Sequence, residues 1–154
     1  MLKPQKFCEE LIRNGVTFFA GVPDSLLEHF CAYVEQNVPK GKHIIAANEG
    51  NAVALAAGHY IATSNPGCVY LQNSGLGNTV NPLLSLVDPK VYGIPVLLII
   101  GWRSEPGVSD EPQHIKQGAV TRELLETVGV SYAVLPQEED EAREALDRAF
   151  LYMR

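Results

Sequence analysis

Hydrophobic positions along the chain switch repeatedly between helical spacing and short continuous runs. Residues 4–14 set Phe7, Leu11 and Ile12 on one side of a helix, and Gly15 stops it. VTFFA (16–20) is a short apolar run bounded by turn residues, a strand. GVPD turns the chain, and Ser25 followed by Glu28 has capping-box spacing, which predicts a helix to about Gln36. HIIAA (43–47) reads as a second strand, followed by a helix of small side chains from Glu49 to about Thr63. CVYLQ (68–72) is a third strand. The loop NSGLGN (73–78) then opens a helix with Pro82 near its first turn. PVLLII (95–100) is a fourth strand.

A loop dense in Gly, Pro and charge, GWRSEPGVSDEPQ, leads to a helix around 114–128 that ends at Gly129. VSYAV (130–134) is predicted as a fifth strand. The last helix, from about Glu138, carries Ala142, Leu146, Ala149 and Met153 on one face, with Glu139–Arg143 and Glu144–Arg148 as supporting pairs. Short strands, apolar on both faces and joined by helices, predict a doubly wound α/β fold: a mostly parallel sheet with helices on both faces. Ligands bind at the carboxyl ends of strands in such folds. Here those ends are GVPDS, ANEGN, QNSGLGN and GWRSEPG with the following DEPQH.

The 154 residues suit one domain, with no internal repeat, low-complexity tract or linker. The helical pattern reaches Arg154 without a stop signal, so further sequence is expected beyond it. The net charge of -6 disfavours a duplex nucleic-acid partner, which needs a basic face. It leaves room for a small anionic substrate, because a few local cations outweigh the global sign. Three widely spaced cysteines, with no C-x-x-C, suggest neither a disulfide framework nor a zinc site. A cytoplasmic location is expected. The amphipathic start is unlike a signal peptide, and IPVLLII is too short to span a membrane.

Candidate chemistry gathers at the strand ends. Glu49 stands before AVALAAG, and its plain reading is an acid favoured at a helix start. Small residues behind it let another backbone or subunit approach, and a buried acid there needs a hydrogen-bonding partner such as a ligand nitrogen. Asp24 in GVPDS is by itself a turn acid, and His114 by itself a packing or surface histidine. Their shared placement says more than either does alone. NSGLGN fails G-x-G-x-x-G at Val80 and lacks a P-loop lysine, so it reads as a tight turn where backbone nears a ligand. Ser74 lies outside any G-x-S-x-G elbow. Arg103 and Lys116 flank the charged loop; solvation is their default, and anion binding the alternative.

FFAGVPDSLL, IIAANEGNAVALAAG, YLQNSGLGNTVNPLLSL and LIIGWRSEPGVSDEPQH together resemble the pyrimidine-binding domain of thiamine diphosphate-dependent 2-oxo acid decarboxylases. The likeness covers essentially the whole chain. It is nearest to the phosphonopyruvate decarboxylases, with the sulfopyruvate decarboxylase alpha subunits close by. The resemblance implies that Glu49 hydrogen-bonds N1′ of the cofactor's aminopyrimidine, so that the ring takes the proton from thiazolium C2. Carbon dioxide then leaves into the cofactor's electron sink. It also implies that Asp24 serves substrate binding and proton transfer, and that His114 is an active-site histidine. Asn73, Gly75 and Gly77 would line the cofactor pocket, and Arg103 or Lys116 would bind the phosphonate.

The family holds diphosphate and Mg²⁺ in a second domain marked by G-D-G, a stretch absent from these 154 residues. The chain is therefore expected to supply half an active site, completed by a diphosphate-binding domain or partner subunit. By itself it should turn over little. A homo-oligomer is expected, built on the small-residue helix. The alternatives are an alpha subunit of a sulfopyruvate decarboxylase and a non-catalytic binding or assembly module of the same fold.

Overall fold

The computed structural model describes residues 2–153. In chain order its elements are α1 (Pro4–Arg13), β1 (Phe18–Gly21), α2 (Glu28–Asn37), β2 (His43–Ile45), α3 (Glu49–Thr63) and β3 (Gly67–Gln72). Then follow α4 (Leu76–Pro82), β4 (Val96–Gly101), α5 (Pro112–Thr127) and α6 (Glu139–Tyr152). Every strand pair is parallel, and the order is β2-β1-β3-β4. That order fixes where a ligand can reach the sheet. From β1 the chain leaves toward β2 on one side, and from β3 toward β4 on the other. The carboxyl ends of β1 and β3 therefore bound a crevice at the point where the winding reverses.

Strand alternation divides the core between the two faces of the sheet. Phe19, Cys68 and Tyr70 point to one face and pack with Phe7, Leu11, Phe30, Val34, Leu146 and Phe150 of α1, α2 and α6. Phe18, Ala20, Val69 and Leu71 point to the other, against Ala52, Val53 and Ala56 of α3, Leu76 of α4 and Leu125 of α5. The small residues of α3 have a packing use as well. A Cβ on Gly67 would press on Ala56, so α3 lies close over the start of β3. The cysteines are free thiols; Cys8 and Cys68 are core side chains, and burial pushes the Cys8 thiol up to about 12. Among the described residues no helix is long and apolar enough to cross a membrane.

Four sequence expectations change. VSYAV forms no strand: Val130 donates its N–H back to Leu125, closing the end of α5, and the residues after it are exposed. Apolar alternation records a surface suited to a sheet, but pairing also needs a backbone ladder within reach, and β4 gives it none. The outer side of the sheet is accordingly only half buried at Val96–Ile100. The cap of the turn at Ser25–Leu27 is Asp24, whose side chain accepts from the Leu26 N–H; Ser25 does not fill that role. Pro82 ends α4, after which Leu83–Val87 continues as a wider π-helical turn. On α6, Arg143 pairs with Asp140 at 3.0 Å in place of Glu139, whereas Glu144 and Arg148 do approach, at 3.7 Å. α6 ends at Tyr152, and the expectation about Arg154 lies outside the described residues.

Candidate active site

Glu49 is the first residue of α3, directly after β2. Asn48 caps the helix by accepting the Asn51 N–H at 2.9 Å, which aims the helix start, with its positive end, at the site. The Glu49 side chain is 9% exposed. One carboxylate oxygen accepts from the Asn78 amide at 2.7 Å. The other lies against Gly75, where a Cβ would fall on the carboxylate itself. Gly75 therefore has a reason in space rather than in backbone angle. A Cβ on Gly77, two residues further and already in α4, would meet nothing within 4 Å.

Asp24 follows β1. Its Oδ2 accepts from Leu26 at 3.2 Å and faces the bare Cα of Gly101 at the end of β4. Its Oδ1 is buried and has no hydrogen-bond partner among the described residues. Burial pushes its titration up from the ordinary carboxylate range, against the opposing pull of the Leu26 N–H, Arg103 and His114. A cleft of about 410 Å³ opens beside it, lined also by Cys31, His43, Ile45 and Tyr70. There His43 Nε2 and Tyr70 Oη share a hydrogen bond of 2.6 Å, and burial lowers the histidine's titration.

The loop after β4 is tied to the turn after β3 by a single amide. Asn73 is 2% exposed. Its Nδ2 donates to the Arg103 carbonyl at 3.0 Å and to Thr121 Oγ1 at 2.9 Å, and its Oδ1 accepts the Arg103 N–H at 3.2 Å. Arg103 then spans the loop. Its Nε donates to Asp110 at 2.8 Å, its Nη2 to the other Asp110 oxygen, and its Nη1 to Ser25 Oγ at 2.7 Å. His114 Nδ1 stands 3.1 Å from Asp110.

The sequence-predicted residues thus fall into two groups. Glu49 and Gly75 lie together, joined by Asn78. Asp24, Arg103 and His114 form the second, joined by Ser25 and Asp110, and Asn73 links the loop to the turn that carries Gly75. Lys116 is not brought to either. It is exposed on α5, two residues past His114 and so about 200° around the helix. Asn78, Asp110 and Thr121 were missed as contributors. Asn78 closes the NSGLGN loop, and Asp110 lies four residues before His114. The spacing was visible, but a loop residue's contact across the fold is not.

Residues 5–127 match the family described as "Thiamine pyrophosphate enzyme, N-terminal TPP binding domain". The chain belongs to this family. It is 40% identical over 131 residues to a phosphonopyruvate decarboxylase of Streptomyces viridochromogenes, an alignment covering 85% of this chain and 32% of the relative. It is 34% identical over 139 residues to the sulfopyruvate decarboxylase subunit alpha of Methanococcus maripaludis, covering 90% of this chain and 80% of that subunit. The chain therefore spans about a third of the length of the Streptomyces relative and most of the archaeal subunit. The fold is shared with benzoylformate decarboxylase from Polynucleobacter necessarius, at a TM-score of 0.67 and 22% identity, over 96% of this chain and 26% of that one. The family's description gives this domain as one that binds thiamine pyrophosphate.

Proposed function

We propose that this chain supplies the pyrimidine-binding half of a thiamine diphosphate-dependent decarboxylase that converts phosphonopyruvate to phosphonoacetaldehyde and carbon dioxide. The observation that carries the reading is Glu49: a carboxylate nine-tenths buried at the mouth of the sheet, lying where a Cβ on Gly75 would otherwise stand. An acid held this way suits the ring nitrogen of an aminopyrimidine, and the donor set fits the cofactor's ring. Bound thiamine diphosphate supplies the electron sink for decarboxylation.

Glu49 would hold N1′, with Asn78 keeping the carboxylate oriented, and Asn73, Gly75 and Gly77 would form the wall beside it. Asp24 and His114 would hold and move protons at the reacting carbon. Arg103 has its guanidinium engaged with Asp110 and Ser25, so it would meet an anionic substrate only through its remaining N–H groups. Lys116 would reach a phosphonate only from the outer side of α5. Among the described residues no three His, Cys, Asp or Glu side chains gather as metal ligands, and in this reading metal and diphosphate would be held by a second domain or a partner subunit in the same cytoplasmic enzyme. A second copy would associate through α3, where Leu55 and Ile61 are exposed.

The test is Glu49→Gln in the complete enzyme, with thiamine diphosphate and Mg²⁺ supplied. Loss of about 10²-fold or more in kcat is expected for removal of an acid–base group. Unchanged turnover would instead favour a non-catalytic module of the same fold. The coverage of 80% of the archaeal alpha subunit supports a second reading, in which the substrate is sulfopyruvate and the partner a separate chain. Comparing the two substrates on the same preparation decides between them.

A further inference from the structure

The loop between β4 and α5 is folded around one carboxylate that the proposed chemistry does not use. Asp110 accepts from Arg103 Nε and Nη2, from the Ser104 N–H at 2.9 Å and from the Glu111 N–H at 2.8 Å, and it faces His114 Nδ1. Its side chain is only 12% exposed. Ser104 takes a left-handed φ of 53°, an unusual conformation for a side chain larger than glycine, and its N–H is one of these donors. The Arg103 guanidinium holds the Asp110 carboxyl well below the usual carboxylate range. Asp110 is thus an ionised acceptor with no proton to give.

An ionised carboxylate fixes its histidine neighbour's tautomer. Nδ1 of His114 has to be the donor of the 3.1 Å contact, so in the neutral ring the lone pair resides on Nε2. We propose that Asp110 is a positioning residue. It holds His114 in the Nδ1–H form, leaving Nε2 as the atom that takes up and returns a proton. The catalytic use of that atom rests on the decarboxylase reading above; the tautomer does not.

The experiment reads the tautomer directly. The chain is labelled with ¹⁵N-histidine, and long-range ¹H–¹⁵N spectra are recorded at alkaline pH, where histidine rings are neutral. His114→Gln assigns the signal by its disappearance. The expected wild-type pattern is Nδ1–H with unprotonated Nε2. In Asp110→Asn the side-chain amide also offers a donor to Nδ1, and the Nε2–H form should rise. In Arg103→Gln, which loosens the loop but retains the carboxylate, Nδ1–H should persist. A wild-type ring in the Nε2–H form overturns the proposal without any variant, as does an unchanged pattern in Asp110→Asn. In the complete enzyme Asp110→Asn should lower kcat by about 10²-fold with KM little changed. A rise in KM alone would mean that Asp110 merely shapes the pocket. Should Glu49→Gln prove silent while the Nδ1–H tautomer holds, the decarboxylase reading fails and the positioning of His114 stands.

Discussion

Asp24 and Asp110 are both loop aspartates of one site, and their surroundings push them in opposite directions. Asp110 collects donors and a guanidinium, whereas Asp24 is buried with one oxygen unpaired. Because the Asp24 titration is raised in the fold, its charge opposes folding at neutral pH, and that penalty fades as pH falls through the raised value toward the unfolded one. Asp24→Asn should therefore raise Tm near pH 7, by a margin that shrinks toward pH 4. A melting series against pH checks it, and a gain that grows in acid would contradict the assignment. An acid kept at a cost in stability is what a site under chemical demand retains. The two glycines of NSGLGN separate in the same way. Gly75→Ala must displace the Glu49 carboxylate and should cost about 1–3 kcal/mol. Gly77→Ala, in α4 with open space at its Cβ, should gain a few tenths to about 1 kcal/mol from helix propensity. Thermal melts of the two variants provide the comparison.

At the scale of elements, β1 and β3 are buried and paired on both sides, whereas β4 pairs only with β3. The amides of β4 that point away from β3 should exchange with solvent well before those of Val69–Leu71, which hydrogen–deuterium exchange resolves residue by residue. Equal protection would mean that the 130–134 segment does pair with β4 in solution. The helices explain the site's precision. Glu49 is at the first turn of a capped helix of 15 residues, and His114 is in the first turn of another of 16, so both side chains sit on rigid supports. Asp24 and Arg103 are carried by loops, and each is pinned by hydrogen bonds instead.

For the whole molecule, the site occupies the carboxyl end of a single sheet, and among the described residues no three His, Cys, Asp or Glu side chains gather as metal ligands. The 154-residue chain alone, given thiamine diphosphate and Mg²⁺, should decarboxylate phosphonopyruvate negligibly. Adding a diphosphate-binding half should restore turnover. A carbon dioxide release assay distinguishes the two cases, and robust turnover by the chain alone would overturn the half-site reading. The exposed Leu55 and Ile61 on α3 are apolar surface left for the second copy proposed above.

Sequence alone determined the alternation of helices and strands, the parallel doubly wound class and the strand ends that bear Asp24, Glu49, Asn73 and Arg103. These follow from local periodicity and from short apolar runs, which neighbouring residues dictate. It also located Glu49 ahead of a small-residue helix, and the resemblance in its motifs named the family. Tertiary structure decided what no local pattern encodes. VSYAV has the alternation of a strand but lacks a ladder partner, and Ser25 has the spacing of a cap that Asp24 takes over. Arg103 looked like a spare cation until the fold set it against Asp110 and Ser25. Asn78 reached Glu49 across 29 positions of sequence, and Asn73 reached Thr121 across 48. Pairings of that kind depend on how strands are ordered and helices laid over them, so their energy is spent between residues that the chain keeps far apart.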